Sequence, residues 1–144
     1  GLPDPALDGN FDVVVAIRGV VNHLPPEDLA QALESLADLL AEGGVLVFDN
    51  SPLPSEGNHP AIDMGEFEDG TYARIVQMNQ TGDGRLSWDA VMFLSDGEFF
   101  LDSRKMTPFE DLTVAEALSQ QGFRFETRDG FGPDDGRTVF VATR

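Results

Sequence analysis

Two valine-rich apolar runs, "FDVVVAI" at residues 11–17 and "GVLVFDN" at residues 44–50, constrain this chain more than any other feature. Each is continuous rather than alternating, the pattern of a strand covered on both faces inside a parallel sheet. A helix is predicted between them. Pro26 suits its first position, and Glu27 and Asp28 suit the positive end of its dipole. Leu29, Leu33, Leu36 and Leu40 then recur at helical spacing, and Ala32, Ala37 and Leu39 widen the apolar stripe. "AEGG" ends the helix, with Gly43 or Gly44 free to take a left-handed terminal conformation. Strand, helix and strand within about forty residues make one βαβ unit, so the two strands run parallel with a right-handed crossover.

The 144 residues suit one domain, burying about two-thirds of its unfolded surface. An apolar fraction of 41% supports a globular chain rather than a disordered one. The absence of cysteine removes disulfides, thiolate metal sites and cysteine nucleophiles. No apolar stretch approaches a membrane span and no signal peptide is visible, although a removed one would leave no trace. Charge is the unusual property. Twenty-six carboxylates face nine basic residues, only one of them a lysine, Lys105, for a net charge of −17. Nucleic acid and anionic membranes need clustered Lys and Arg, so both are poor partners. The carboxylates are spread along the chain, which resembles cytosolic proteins of salt-accumulating organisms, and the expected location is cytoplasmic.

The remainder divides clearly. Residues 1–10 read as loop. After Asn50, "SPLPSEGNHP" is a proline-rich loop, and three partly alternating runs follow at residues 71–80, 86–95 and 98–106. The turns "TGDG" and "SDG" between them are hairpin signals, so residues 51–106 read as an inserted antiparallel β-meander. "LTVAEALSQQG" opens with a capping box, Thr113 and Glu116, although "TPFE" offers an alternative start near Pro108. "FRFETRDGF" and "RTVFVATR", joined by "GPDDG", read as a final antiparallel pair.

In this order, four stretches resemble the second half of a class I S-adenosylmethionine-dependent methyltransferase. "LDGNFDVVVAI" is similar to the family's fourth strand and the acidic turn before it. "LADLLAEGGVLVFDN" resembles the helix ending Leu-x-x-Gly-Gly and the fifth strand. "VAEALSQQGFRFE" looks like the last helix and its exit, and "RTVFVATR" like the closing strand. "VVNHL" followed by a meander is most similar to the small-molecule branch, such as sugar amine N-methyltransferases. The resemblance implies an α/β, Rossmann-like partial methyltransferase sheet, parallel strands plus an antiparallel C-terminal strand, within a single domain over residues 1–144. It implies S-adenosylmethionine as cofactor in the intact protein, a small-molecule amine or hydroxyl as methyl acceptor, and a homodimer through the inserted strands. It also implies three earlier strands and a glycine-rich cofactor loop, none of which stands before Phe11. The chain is therefore expected to be part of a longer enzyme and inactive alone.

Candidate site residues gather where the two parallel strands end, the edge at which open α/β sheets bind ligands. His23 could take a proton from an acceptor amine or hydroxyl, or it could pack beside Pro25 and lead into the helix. The resemblance places Ala16, Ile17 and Arg18 against the cofactor, while Arg18 could equally pair with a surface carboxylate. Asn22, Asp49 and Asn50 are candidate acceptor contacts, and the last two could instead shape the turn before Pro52. Tyr72, Arg74, Trp88, Phe93 and Arg104 on the insert could line an acceptor pocket between the sheet edge and the inserted strands, or form core or a dimer interface. His59 has no neighbouring ligands, and two histidines among scattered carboxylates lack metal-site spacing. The competing reading is a non-catalytic half-Rossmann module used for dimerisation or binding, and a different α/β enzyme is a third.

Overall fold

The computed structural model describes residues 1–132 and 135–144. The chain divides into two compact units, residues 1–52 with 107–144, and residues 53–106.

In the first unit, β1 (Phe11–Ala16) pairs in parallel with β2 (Leu40–Asn50). β8 (Thr138–Thr143) lies antiparallel to β2, and β7 (Arg124–Asp129) antiparallel to β8, giving the order β1-β2-β8-β7. The crossover between β1 and β2 carries a 3-10 turn at Pro26–Asp28 and then α1 (Leu29–Asp38). A second helix, α2 (Asp111–Gln120), precedes β7. The parallel pair, its crossover helix and the closing antiparallel pair are those expected from the sequence. The linking turn "GPDDG" includes Pro133 and Asp134, which lie outside the described residues.

Strand periodicity sorts the sheet's side chains. Val14 sits opposite Leu46 and Ala16 opposite Phe48, and Phe140 and Ala142 continue the same face on β8. This face packs against Leu29, Ala32, Leu33 and Leu36 of α1 and against Val114 and Leu118 of α2. Phe48 and Phe140 stack with ring centroids 5.1 Å apart. The other face is different. Within these residues β1 stands at one end of the strand order, with Val13 and Val15 55% and 56% exposed.

Three boundaries also differ from expectation. The helix stops at Asp38, because Leu40 already belongs to β2 and pairs with Phe11. Gly43, with φ of 74°, therefore serves inside the strand, where the ladder slips by several residues, rather than capping the helix. A Cβ on Gly44 would lie 2.9 Å from the Phe11 carbonyl oxygen, so the close approach there requires glycine. α2 begins at Asp111, between the two starts considered, and Glu110 flanks it in extended conformation without a side-chain cap.

The second unit is a four-stranded meander: β3 (Ala61–Phe67), β4 (Gly70–Gln80), β5 (Leu86–Leu94) and β6 (Phe99–Met106). The sequence indicates three of these. β3 lies in a stretch with little alternation, and its existence depends on pairing with β4. Both expected hairpins are present, one closed by Thr81 N–H donating to the Arg85 carbonyl at 3.0 Å, the other by Leu94 N–H donating to the Glu98 carbonyl at 2.8 Å. No helix among the described residues is long and apolar enough to cross a membrane.

Removing either stacked ring should leave a cavity in the first unit. We expect Phe48→Ala or Phe140→Ala to cost about 3–5 kcal/mol, and Val15→Thr on the open face less than about 0.5 kcal/mol. Urea unfolding of the three variants checks the contrast.

Candidate functional site

β1 and β2 end side by side, with Ala16 opposite Phe48. Beyond β1 the backbone turns sharply. Arg18 and Gly19 are both left-handed, with φ of 68° and 72°, a conformation that is strained for arginine. A Cβ on Gly19 would lie 2.6 Å from Ser51 Oγ, so the position has no room for a side chain. A 3-10 turn at Val21–His23 follows.

Beneath this turn lies a polar layer that is almost fully buried: Asn22, Asp49, Asn50, Ser51 and Thr107. Asn22 Nδ2 donates to Asn50 Oδ1 at 2.9 Å and to the Thr107 carbonyl at 3.0 Å. Its Oδ1 accepts from Ser51 N–H at 2.9 Å. Asn50 Nδ2 donates to the Phe109 carbonyl and to Asp111 Oδ1, each at 2.8 Å, and the Thr107 hydroxyl donates to the Leu24 carbonyl. Both Asp49 oxygens accept from Gly19 N–H, at 2.9 and 3.1 Å. Arg137 Nε lies 3.2 Å from Asp49 Oδ2 and supplies the counter-charge. The Arg137 guanidinium also donates to Asp135. Asp135 sits below the usual carboxylate range, chiefly because it accepts from Phe131 N–H and then from the Arg137 backbone and side chain.

The candidates from sequence thus separate by role. Asn22, Asp49 and Asn50 are brought together, but their polar atoms are engaged within the protein. Ala16 faces the core. Ile17, Arg18 and His23 are exposed at the edge, and Arg18 makes no ion pair among the described residues. Sequence reasoning missed Gly19, Ser51, Thr107, Asp111 and Arg137. Thr107 is 85 residues from its Asn22 partner, and no local pattern marks such a contact. Gly19 beside a strand end was the one available signal.

In the meander, directly opposed residues share a face. Tyr72, Arg74, Trp88 and Arg104 fall on one face by register, while Phe93 lies on the other beside Phe99. Each of the four has a neighbour within the sheet. The Tyr72 ring covers Gly65, Arg74 pairs with Asp63, and Arg104 lies 5.9 Å over the Trp88 ring. His59 sits in the polar loop before β3, and among the described residues no group of three or more potential ligands gathers for a metal.

No protein-family model matches the sequence, nor does any curated protein. Solved structures do match. DesVI from Streptomyces venezuelae aligns with a TM-score of 0.82 and 27% identity, covering 96% of this chain and 61% of its own. The sugar N-methyltransferase KedS8 from a Streptoalloteichus species aligns at 0.71 and 28%, covering 98% and 59%. The amino pentose methyltransferase CalS10 from Micromonospora echinaspora, solved with S-adenosylmethionine bound, aligns at 0.73 and 25%, covering 96% and 60%. The chain therefore has a partial class I methyltransferase fold and spans about three-fifths of the length of these structures.

Removing the Asn22 side chain should strand several buried groups at once. Each unsatisfied group costs about 1–3 kcal/mol, so Asn22→Ala should lower stability well beyond Gln31→Ala on the exposed side of α1, which should stay within about 0.5 kcal/mol of the parent. Thermal melts of the two variants check this.

Proposed function

We propose that this chain contributes the acceptor side of an S-adenosylmethionine-dependent methyltransferase acting on a small-molecule amine or hydroxyl, an amino sugar being the favoured class. The supporting observation is the match over nearly the whole chain to KedS8 and CalS10, both methyltransferases by name. The site chemistry agrees with it. Ile17 and Arg18 are open at the edge, and the Arg18 guanidinium, which makes no ion pair among the described residues, fits the carboxylate of the cofactor's methionine portion. The buried layer does not fit as direct contact, because its polar atoms are already used. When bound, the cofactor supplies a methyl group activated on a sulfonium sulfur. The chain's own task is orientation and proton handling, and His23 takes the proton that the acceptor nitrogen or oxygen sheds. The shared face of Tyr72, Arg74 and Trp88 supports a role in holding the acceptor. The glycine-rich loop that grips the cofactor is proposed to belong to a part of the enzyme outside these residues.

The test is calorimetry of S-adenosylmethionine with this chain and with one extended upstream by its natural flanking sequence, in high salt. Binding by the longer chain alone is expected, and His23→Ala in that chain should then lower turnover by about a hundredfold. Binding by neither overturns the methyl-transfer reading. The second reading, a non-catalytic binding module, would then gain from the exposed Val13 and Val15 of the open sheet face.

The homodimer is proposed on the meander face opposite the Tyr72 group. There Ile62, Met64, Ile75, Phe93, Phe99 and Leu101 are all exposed and adjacent through the register. The six side chains are uncharged, with Glu66 and Asp89 at the margins of the same face, and such an apolar patch is what two chains of charge −17 need in order to meet. The spread of charge also supports a cytoplasmic, salt-adapted protein whose self-repulsion is screened by salt. Analytical ultracentrifugation should show a dimer that strengthens with salt, and Leu101→Glu should yield a monomer; a monomeric parent at every salt concentration would sink the dimer.

A further inference from the structure

We infer that Asp49 and Arg137 form a positioning pair: together they hold the Arg18–Gly19 turn in its left-handed form and so fix where the edge loop presents Arg18 to a ligand. The role of that presentation rests on the methyl-transfer reading; the clamp itself does not.

Four observations carry it. First, the turn is held against its own preference, because Arg18 has a φ of 68° and is not glycine. Secondly, Asp49 is fully buried and spends both oxygens on one backbone group, Gly19 N–H. Thirdly, the neighbouring joins in the same layer are made by neutral amides, Asn22 and Asn50, which need no counter-ion. Among the described residues Asp49 is the one carboxylate buried in this layer, since Asp111, which accepts from Asn50, is exposed. Burying that carboxylate is costly unless it is paired, and Arg137 provides the pairing. Fourthly, Arg137 Nε is buried at 3.2 Å from Asp49 Oδ2 yet has no aligned acceptor. It therefore neutralises Asp49 without competing with Gly19 for the carboxylate lone pairs. Because Arg137 is tied in turn to Asp135, the segment before β8 is linked through two ion pairs to the ligand edge.

The test uses amide hydrogen exchange and nuclear Overhauser effects by NMR on the 144-residue chain. In Asp49→Asn the Gly19 amide should exchange about ten- to a hundredfold faster, while Leu46 and Val47 in β2 stay within about twofold. The strong contact between the Arg18 amide and its own α-proton, a mark of positive φ, should weaken. Arg137→Ala should reproduce both changes and Arg137→Lys, which keeps the charge, should restore them. Retention of Gly19 protection and of the Arg18 signature in both Asp49→Asn and Arg137→Ala overturns the proposal. So does uniform acceleration across β2 in both, which would make the pair a general stabiliser. Should Asp49→Asn not fold, the two Arg137 variants decide alone. In the upstream-extended chain, Asp49→Asn should also weaken S-adenosylmethionine binding about tenfold, and unchanged affinity with a lost turn refutes the positioning role. Failure of the parent to bind cofactor at all would refute the methyl-transfer reading instead, with the NMR result on the clamp unaffected.

Discussion

A buried amide is costly unless every donor and acceptor finds a partner at once, and Asn22 imposes that requirement on the first unit. Its side chain bonds to Asn50, to the Thr107 carbonyl and to the Ser51 amide. Its carbonyl accepts from Thr107 N–H at 2.6 Å. These partners come from the end of β2 and from the segment where the chain returns before α2. The loop after β1 is therefore tied to both. This accounts for an edge loop that is strained at Arg18 and still defined, since its geometry is dictated by the layer beneath it and not by local preference.

The apolar half of the fold was largely legible in the sequence. Valine runs, leucines at helical spacing and hairpin turns each carry a short-range signal, and β1, α1, the end of β2 and three meander strands follow from them. What was not legible depends on distant partners. β3 needs β4 beside it, and the early start of β2 reflects Leu40 pairing with Phe11 across the crossover. β1 has the composition of a central strand, and within these residues its Val13 and Val15 lie open. The location of the candidate site was legible, since strand ends are visible in sequence. The division of labour within it was not. Asn22, Asp49 and Asn50 share their residue types with ligand-binding groups, and only their hydrogen-bond partners show that they hold the loop.

The two compact units use polar residues differently. In the first, polar groups concentrate into one buried layer whose side chains bond to one another and to the backbone. In the meander, the pairs Arg74–Asp63 and Arg104–Asp102 remain partly exposed and contribute little to stability by themselves. There the register matters more, because it sorts Tyr72, Arg74, Trp88 and Arg104 to one face and the apolar Ile62, Met64, Phe93 and Phe99 to the other. A one-residue slip would exchange the two faces entirely.

The meander leaves the first unit just after Ser51 and rejoins it at Thr107, and one asparagine side chain grips the backbone at both points. Such a junction separates inheritance of the sheet from inheritance of the excursion. The strands, helices and edge loop take their register from contacts within the first unit, and the excursion meets them at these two backbone groups. The frame thus fixes the two ends of the excursion without reference to the residues between them.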